Sequence, residues 1–178
     1  MKKFISISIL ILFIFSLCGC KDNKSENMPK NEIEMTTLES AIKGAIKARL
    51  ITEGAENTDF EDEILPNYRS IFLSDVSTLN IPDEYDLTIF DDGVAVIHKS
   101  ADNSDLIAIA KVKDGKQSAA EGLALRLRDF QMSMADSYLP NQTTKIENNI
   151  IKAIGNYIIY ITYSDPKYIE EAILKVIQ

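Results

Sequence analysis

Residues 106–134 read LIAIAKVKDGKQSAAEGLALRLRDFQMSM, and within them the hydrophobic period changes. Leu106, Ala108, Ala110 and Val112 alternate with Ile107, Ile109 and Lys111, a period of two that predicts a strand over Leu106–Lys113. The alanines on one face of it leave room for a helix to pack closely. Asp114-Gly115 ends the strand, and Ser118-Ala119-Ala120-Glu121 then has the form of a capping box. Ala120, Leu123, Leu127, Phe130 and Met134 recur at helical spacing, with Arg126, Arg128 and Asp129 off that stripe. This helix is predicted to stop near Tyr138, because Pro140 disfavours helical backbone in the residue before it. A strand followed at once by an amphipathic helix sets a mixed architecture.

Downstream, two strands are predicted over Thr144–Ile154 and Tyr157–Tyr163, joined through Gly155-Asn156. Asp165-Pro166 caps a last helix that buries Ile169, Ala172, Ile173 and Val176. Upstream, Asp86–Phe90 and Val94–Lys99 flank Asp91-Asp92-Gly93, which predicts a hairpin. Thr36 to Glu39 form another capping box, opening a helix over Thr37–Ile51 with Leu38, Ile42, Ala45, Ile46 and Leu50 on one face. Between Ile64 and Tyr85 the signals are mixed, with a short helical turn at Tyr68–Phe72. The expectation is one α+β domain over residues 36–178. It has an antiparallel sheet of about five strands with helices packed on one face, in the order αβββαββα.

The front of the chain has another purpose. Lys2 and Lys3 precede an uncharged run from Phe4 to Leu17, shorter than the roughly 20 residues a membrane-spanning helix needs. It has the length of a signal-peptide core. Leu17-Cys18-Gly19-Cys20 then resembles the lipobox of bacterial lipoproteins. That resemblance implies a leader over residues 1–19, cleavage between Gly19 and Cys20, and a diacylglyceryl group on the Cys20 sulfur. Two acyl chains, at about 0.8 kcal/mol per buried methylene, anchor a protein stably where one is marginal. Residues 20–35 are polar and without apolar period, and read as a flexible tether. The expected location is the extracytoplasmic face of the cell membrane, with the membrane itself as first partner and an envelope protein or wall polymer as a second.

Both cysteines lie at this front end. A chain starting at Cys20 therefore has no thiol nucleophile, redox pair or cysteine metal site in its folded part. The whole chain carries −8, and loss of Lys2 and Lys3 leaves 17 basic against 27 acidic residues, or −10. Such a surface repels phosphate backbones, which argues against a nucleic-acid partner.

Ile107 to Gly115, the helix with Arg126 and Gln131, Tyr138-Leu139-Pro140-Asn141-Gln142 and Gly155-Asn156-Tyr157 follow one another in an order similar to that of the domain-of-unknown-function 4358 family. The resemblance implies a small α+β lipoprotein of Gram-positive anaerobes. It implies no activity, cofactor or catalytic residue.

The residues themselves argue against most chemistry. His98 is the single histidine, so a serine hydrolase would have to use it, with Asp91, Asp92 and Ser100 near in sequence and no nucleophile elbow. A partly exposed histidine at a strand end is the plainer reading. One histidine cannot make the usual zinc set, and the acidic groups Asp59, Glu61, Asp62, Glu63 and Asp83, Glu84, Asp86 lack the spacing and glycine of an EF-hand. No glycine-rich phosphate loop occurs. No catalytic residue, metal or cofactor is expected. Tyr157, Tyr160 and Tyr163 are the candidate binding residues: the last strand is apolar on both faces, for which core packing of a central strand is the plainer reading, while a face left bare of helix would offer Tyr160 to a partner. The functional expectation is a non-enzymatic binding or scaffolding module of the envelope. A hydrolase using His98 and a solute-binding lipoprotein are the alternatives.

Overall fold

The computed structural model describes residues 32–60, 65–78 and 85–178. The predicted leader, the Gly19–Cys20 cleavage and lipidation site, and the tether as far as Asn31 lie outside the described residues, as do Glu61 to Glu63, Asp83 and Glu84.

Nine elements build the domain: α1 (Met35–Thr52), β1 (Tyr68–Phe72), β2 (Phe90–His98), β3 (Leu106–Val112), α2 (Gln117–Tyr138), α3 (Thr143–Glu147), β4 (Ile150–Ile154), β5 (Tyr157–Thr162) and α4 (Pro166–Ile177). The strands form one antiparallel sheet in the order β1-β2-β3-β5-β4. The α+β class and the interleaving of helices and strands are as the sequence predicts. The short α3 is an addition.

Alternation divides the sheet into two faces. Val94, Val96, Ile107, Ile109, Tyr157, Ile159 and Ile161 point to the first, where Leu38, Ile42 and Ile46 of α1 and Ile169, Ile173 and Ile177 of α4 cover them. Nearly all are fully buried, each stabilising by about 1.5–3 kcal/mol relative to exposure. Val112, Ile158 and Tyr160 point to the second face, beneath Ala120, Leu123 and Ala124 of α2. Helices therefore lie on both faces, not one. Apolar residues at both parities of β5 require this, since all six of its residues are buried.

Three local expectations change. The Asp91-Asp92-Gly93 hairpin does not form. Phe90 pairs with Val112 and Asp92 with Lys111, so Asp91 is the extra residue of a β-bulge inside a continuous β2. Gly93 serves close approach there, since a Cβ would stand 3.2 Å from the Ile109 carbonyl oxygen and the Ala110 Cβ. Asp86–Phe90 is mostly a 3-10 turn, Leu87–Ile89, capped by Asp86, whose carboxylate accepts from the Thr88 N–H at 3.0 Å. The third strand of the first group is instead Tyr68–Phe72, with Tyr68, Ser70 and Phe72 toward α1 and Ile71 on the opposite side. Five residues are too few to show a period of two convincingly. Finally, the front half of the predicted Thr144–Ile154 strand is α3, which buries Ile146.

Caps divide similarly. Asp165 accepts from the Tyr168 N–H at 3.3 Å, with Pro166 in the first turn, as predicted. Neither Thr36 nor Ser118 caps a helix: α1 begins after Glu34 and α2 after Lys116, both without a side-chain cap bond. The Glu39 carboxylate turns to Lys43 at 2.6 Å and to the Ser70 hydroxyl, tying α1 to the edge strand.

Candidate functional site

The second face is only partly covered. α2 stands over β4 and β5, and the floor formed by β1, β2 and β3 stays open beside it. Ile71, Ala95, Ile97, Leu106, Ala108 and Ala110 make that floor. Leu123, Leu127 and Phe130 of α2 form one wall, and Leu73, Val76, Tyr85 and Leu87 the other. Between them is a groove of about 460 Å³, within the range of about 300–1,000 Å³ typical of small-ligand sites. Among its lining side chains only the hydroxyls of Tyr85 and Tyr160 are polar. The alanines predicted to admit a close helix instead leave depth for the groove, because α2 is displaced toward β5.

Exposure along α2 follows from that displacement. Ala120 and Leu123 are buried, whereas Phe130 is 55% and Met134 41% exposed. The predicted stripe thus begins as core, reaches the groove at Leu127 and Phe130, and is exposed at Met134. Exposed apolar side chains aligned beside an apolar cleft mark a binding surface more strongly than the same residues scattered singly.

A polar network fixes α2 in this position. The Gln131 Oε1 accepts from the Tyr160 hydroxyl at 2.5 Å and the Thr162 hydroxyl at 2.9 Å, and its Nε2 donates to the Ser104 carbonyl at 3.1 Å. The Gln142 Oε1 accepts from the Ser104 N–H at 3.3 Å and hydroxyl at 3.1 Å. At the other end of the helix the Gln117 Nε2 donates to the Gly155 carbonyl at 2.9 Å. Burial pushes the Tyr160 phenol up to about 12. It is a neutral donor at physiological pH.

Next to this network, Asp105 is 6% exposed and accepts from the Tyr68 hydroxyl at 2.6 Å and from the Lys145 ammonium at 2.7 Å. Lys145 also donates to Asn103 at 3.1 Å. Burial, then the bond to Asp105, raises the Tyr68 phenol well above its ordinary value. The group locks the β2–β3 connection to β1 and α3 with its polar atoms turned on one another.

The sequence candidates separate. Tyr157, 1% exposed, and Tyr163, 3% exposed, lie in the first-face core under α1 and α4. Tyr160 lines the groove, but the face that carries it is covered there by α2. His98 is a half-buried strand-end residue, its ring edge-on to Tyr68 at 5.0 Å. Its Nδ1 accepts from the Ser100 N–H at 3.0 Å, while the Ser100 hydroxyl donates to Asp102. The serine hydroxyl is thus directed away from the imidazole, opposite to what a nucleophile needs. Asp91 and Asp92 are near the far end of β2. Asp59 caps the turn after α1, accepting from the Glu56 N–H at 2.9 Å. Among the described residues, no group of three or more His, Cys, Asp or Glu could hold a metal ion, and no helix is long and apolar enough to cross a membrane.

Sequence reasoning did not find the groove. Its signal was present in the small residues of Leu106–Lys113 beside a helix whose stripe continues past what a short sheet can cover.

The family model described as Domain of unknown function (DUF4358) matches residues 73–163. That span holds β2 through β5, α2 and the whole Gln131 network. No curated protein and no solved structure matches the chain.

Proposed function

We propose, for a chain that belongs to the family described as Domain of unknown function (DUF4358), a non-enzymatic, lipid-anchored binding module of the cell envelope that holds a small apolar ligand. The groove carries this reading: its lining is almost wholly apolar, its volume suits a small molecule, and a hydrogen-bonded helix holds it open. A sugar polymer would leave hydroxyls unpaired against such a lining, which favours an apolar ligand over a wall polymer. Attachment through Cys20, and the extracytoplasmic location that follows from it, rest on the lipobox and the short uncharged leader core.

Two measurements test the two halves. The neutral dye N-phenyl-1-naphthylamine should brighten on binding at micromolar concentration, and Ala108→Leu, which fills the groove floor, should weaken it at least tenfold. Saturable binding unchanged by Ala108→Leu refutes the site. Metabolic labelling with an alkyne analogue of palmitate should mark the native chain and not Cys20→Ser; equal labelling of both refutes the anchor.

A further inference from the structure

The apolar groove has a charged end. In the β1–β2 pairing Arg69 stands opposite Ile97, and Ile71 opposite Ala95. Directly paired residues share a face of the sheet, so Arg69 is on the groove's face, beside the Ile97 that forms part of its floor. Lys99, just past the end of β2, turns its ammonium instead to the Pro66 carbonyl at 2.7 Å. On α2, Arg126 follows Leu123 by one turn, but its guanidinium lies back beside Gly122 and takes no part in the groove lining. Arg69 is exposed and has no carboxylate within ion-pair distance among the described residues. The nearest acid in sequence to Lys99 is Asp102, which accepts from the Ser100 hydroxyl.

The chain as a whole is acidic, at −8. A cation free of any carboxylate at one end of an apolar cleft therefore runs against its general charge. From Gly93 to Ile97 the floor extends about 14 Å at strand rise, enough for an alkyl chain lying along β2 with its head toward Arg69. A guanidinium presents two parallel N–H groups that match a carboxylate.

The geometry points to a single-chain fatty acid as the occupant, its alkyl chain in the groove and its carboxylate at Arg69. This inference rests on the groove being a binding site and adds the head-group chemistry. A neutral alcohol of equal length tests the site, and the acid tests the head group.

The full chain, lacking only the leader, is titrated with dodecanoate, dodecanol and dodecyltrimethylammonium by displacement of the naphthylamine dye. Dodecanoate should bind about fivefold tighter than dodecanol, the scale of one exposed ion pair, and the cationic amphiphile weakest. Arg69→Gln should bring dodecanoate to the level of dodecanol without changing dodecanol binding. Arg69→Glu should weaken dodecanoate further, and high salt should erase the preference. Arg69 is exposed, so these variants should retain the parent's circular dichroism. If dodecanol binds but dodecanoate is no tighter, or if Arg69→Gln leaves dodecanoate unchanged, the head-group assignment is wrong while the groove stands. If neither displaces the dye, both fail. Sedimentation showing a dimer that dodecanoate does not disperse would put a second copy in the groove and overturn the assignment.

Discussion

Replacing Gln131 by Leu removes the acceptor for two hydroxyls that have little access to water. Tyr160 is 4% and Thr162 0% exposed, and both donate to the Gln131 Oε1. Leaving a buried donor without an acceptor costs about 1–3 kcal/mol. Tyr160 borders the groove, where water can reach it in part, so the lower half of that range applies to its hydroxyl. The Ser104 carbonyl also loses its N–H donor at 3.1 Å. The expected loss is about 3 kcal/mol, a large share of the 5–15 kcal/mol that holds a typical domain. Gln131→Glu keeps one oxygen to accept from both hydroxyls but sets a second, charged oxygen against the Ser104 carbonyl, so it should also destabilise, by about 1 kcal/mol or more. Urea unfolding followed by circular dichroism measures both. A double-mutant cycle with Tyr160→Phe removes one orphaned hydroxyl and should recover about 1 kcal/mol of the Gln131→Leu loss. A Gln131→Leu cost within about 0.5 kcal/mol of zero, or strict additivity with Tyr160→Phe, would refute the network as the anchor of α2.

Asp105→Ala should destabilise by about 3 kcal/mol or more, since it strands the Lys145 ammonium and the Tyr68 hydroxyl in a buried position; urea midpoints check it, and Lys145→Met in the same background should recover part of the loss. Glu170 is 4% exposed, and although burial pushes its carboxyl up, Lys152 at 2.8 Å and Lys167 at 2.9 Å outweigh this and hold it below its ordinary 4.5. A depressed folded value means that its stabilisation is present above 4.5 and is lost as pH falls through the folded value, so Glu170→Gln should flatten the acid limb of a stability profile below that point. Tyr160 and Tyr163 are pushed by burial from 10 up to about 12, so the stability they confer is whole below pH 10 and is lost as pH rises through about 12; tyrosinate absorbance should lag a free-tyrosine curve over that window. Gly93→Ala should cost about 1–3 kcal/mol by overpacking against Ala110 and the Ile109 carbonyl, read from the same urea curves.

How far the fold was legible depended on the scale of each signal. The long, strongly periodic elements were readable: α1, β3, α2, β5 and α4 stand within a few residues of where the apolar pattern places them. Short elements were not. Tyr68–Phe72 becomes a strand through its pairing with β2, and no five-residue pattern announces a partner distant in sequence. Asp91-Asp92-Gly93 carries hairpin chemistry, yet Gly93 meets a different need, the close approach of β3. Local turn propensity lost there to continuity of the sheet. Thr36 and Ser118 matched a capping pattern one residue inside helices that begin earlier without a side-chain cap.

The candidate site was hidden for a different reason. A groove is a difference between what a face presents and what covers it, and a sequence states only the first. Leu106, Ala108 and Ala110 told of a small-residue face; that α2 would stand aside from it depends on Gln131, Gln142 and Gln117 finding partners in Ser104 and Gly155. Glutamines on a helix ordinarily read as solvated surface. Here Gln131 and Gln117 bind the helix toward β5 and the β4–β5 turn, and Gln142, just beyond α2, grips the β2–β3 connection.

This placement links stability to binding. If α2 moved over Ala95 and Ala108, it would bury Phe130 and Leu127 and gain apolar contact, at roughly 25 cal/mol per Å². The present position gives up that gain, and the Gln131 bonds, with the packing of Ala120, Leu123 and Ala124 on Ile158 and Tyr160, oppose the shift. The wall and the floor of the groove are therefore independent levers. Ala108→Leu should weaken dye binding at least tenfold while leaving the urea midpoint close to the parent's, because the added side chain enters open space. Gln131→Leu should do the reverse first, lowering stability, and should weaken dye binding only to the extent that α2 slides inward. Parallel losses of stability and binding in both variants would mean that the cleft is incidental to a loosely packed helix; separate losses would mean that the helix is held away from the sheet so that the cleft stays open.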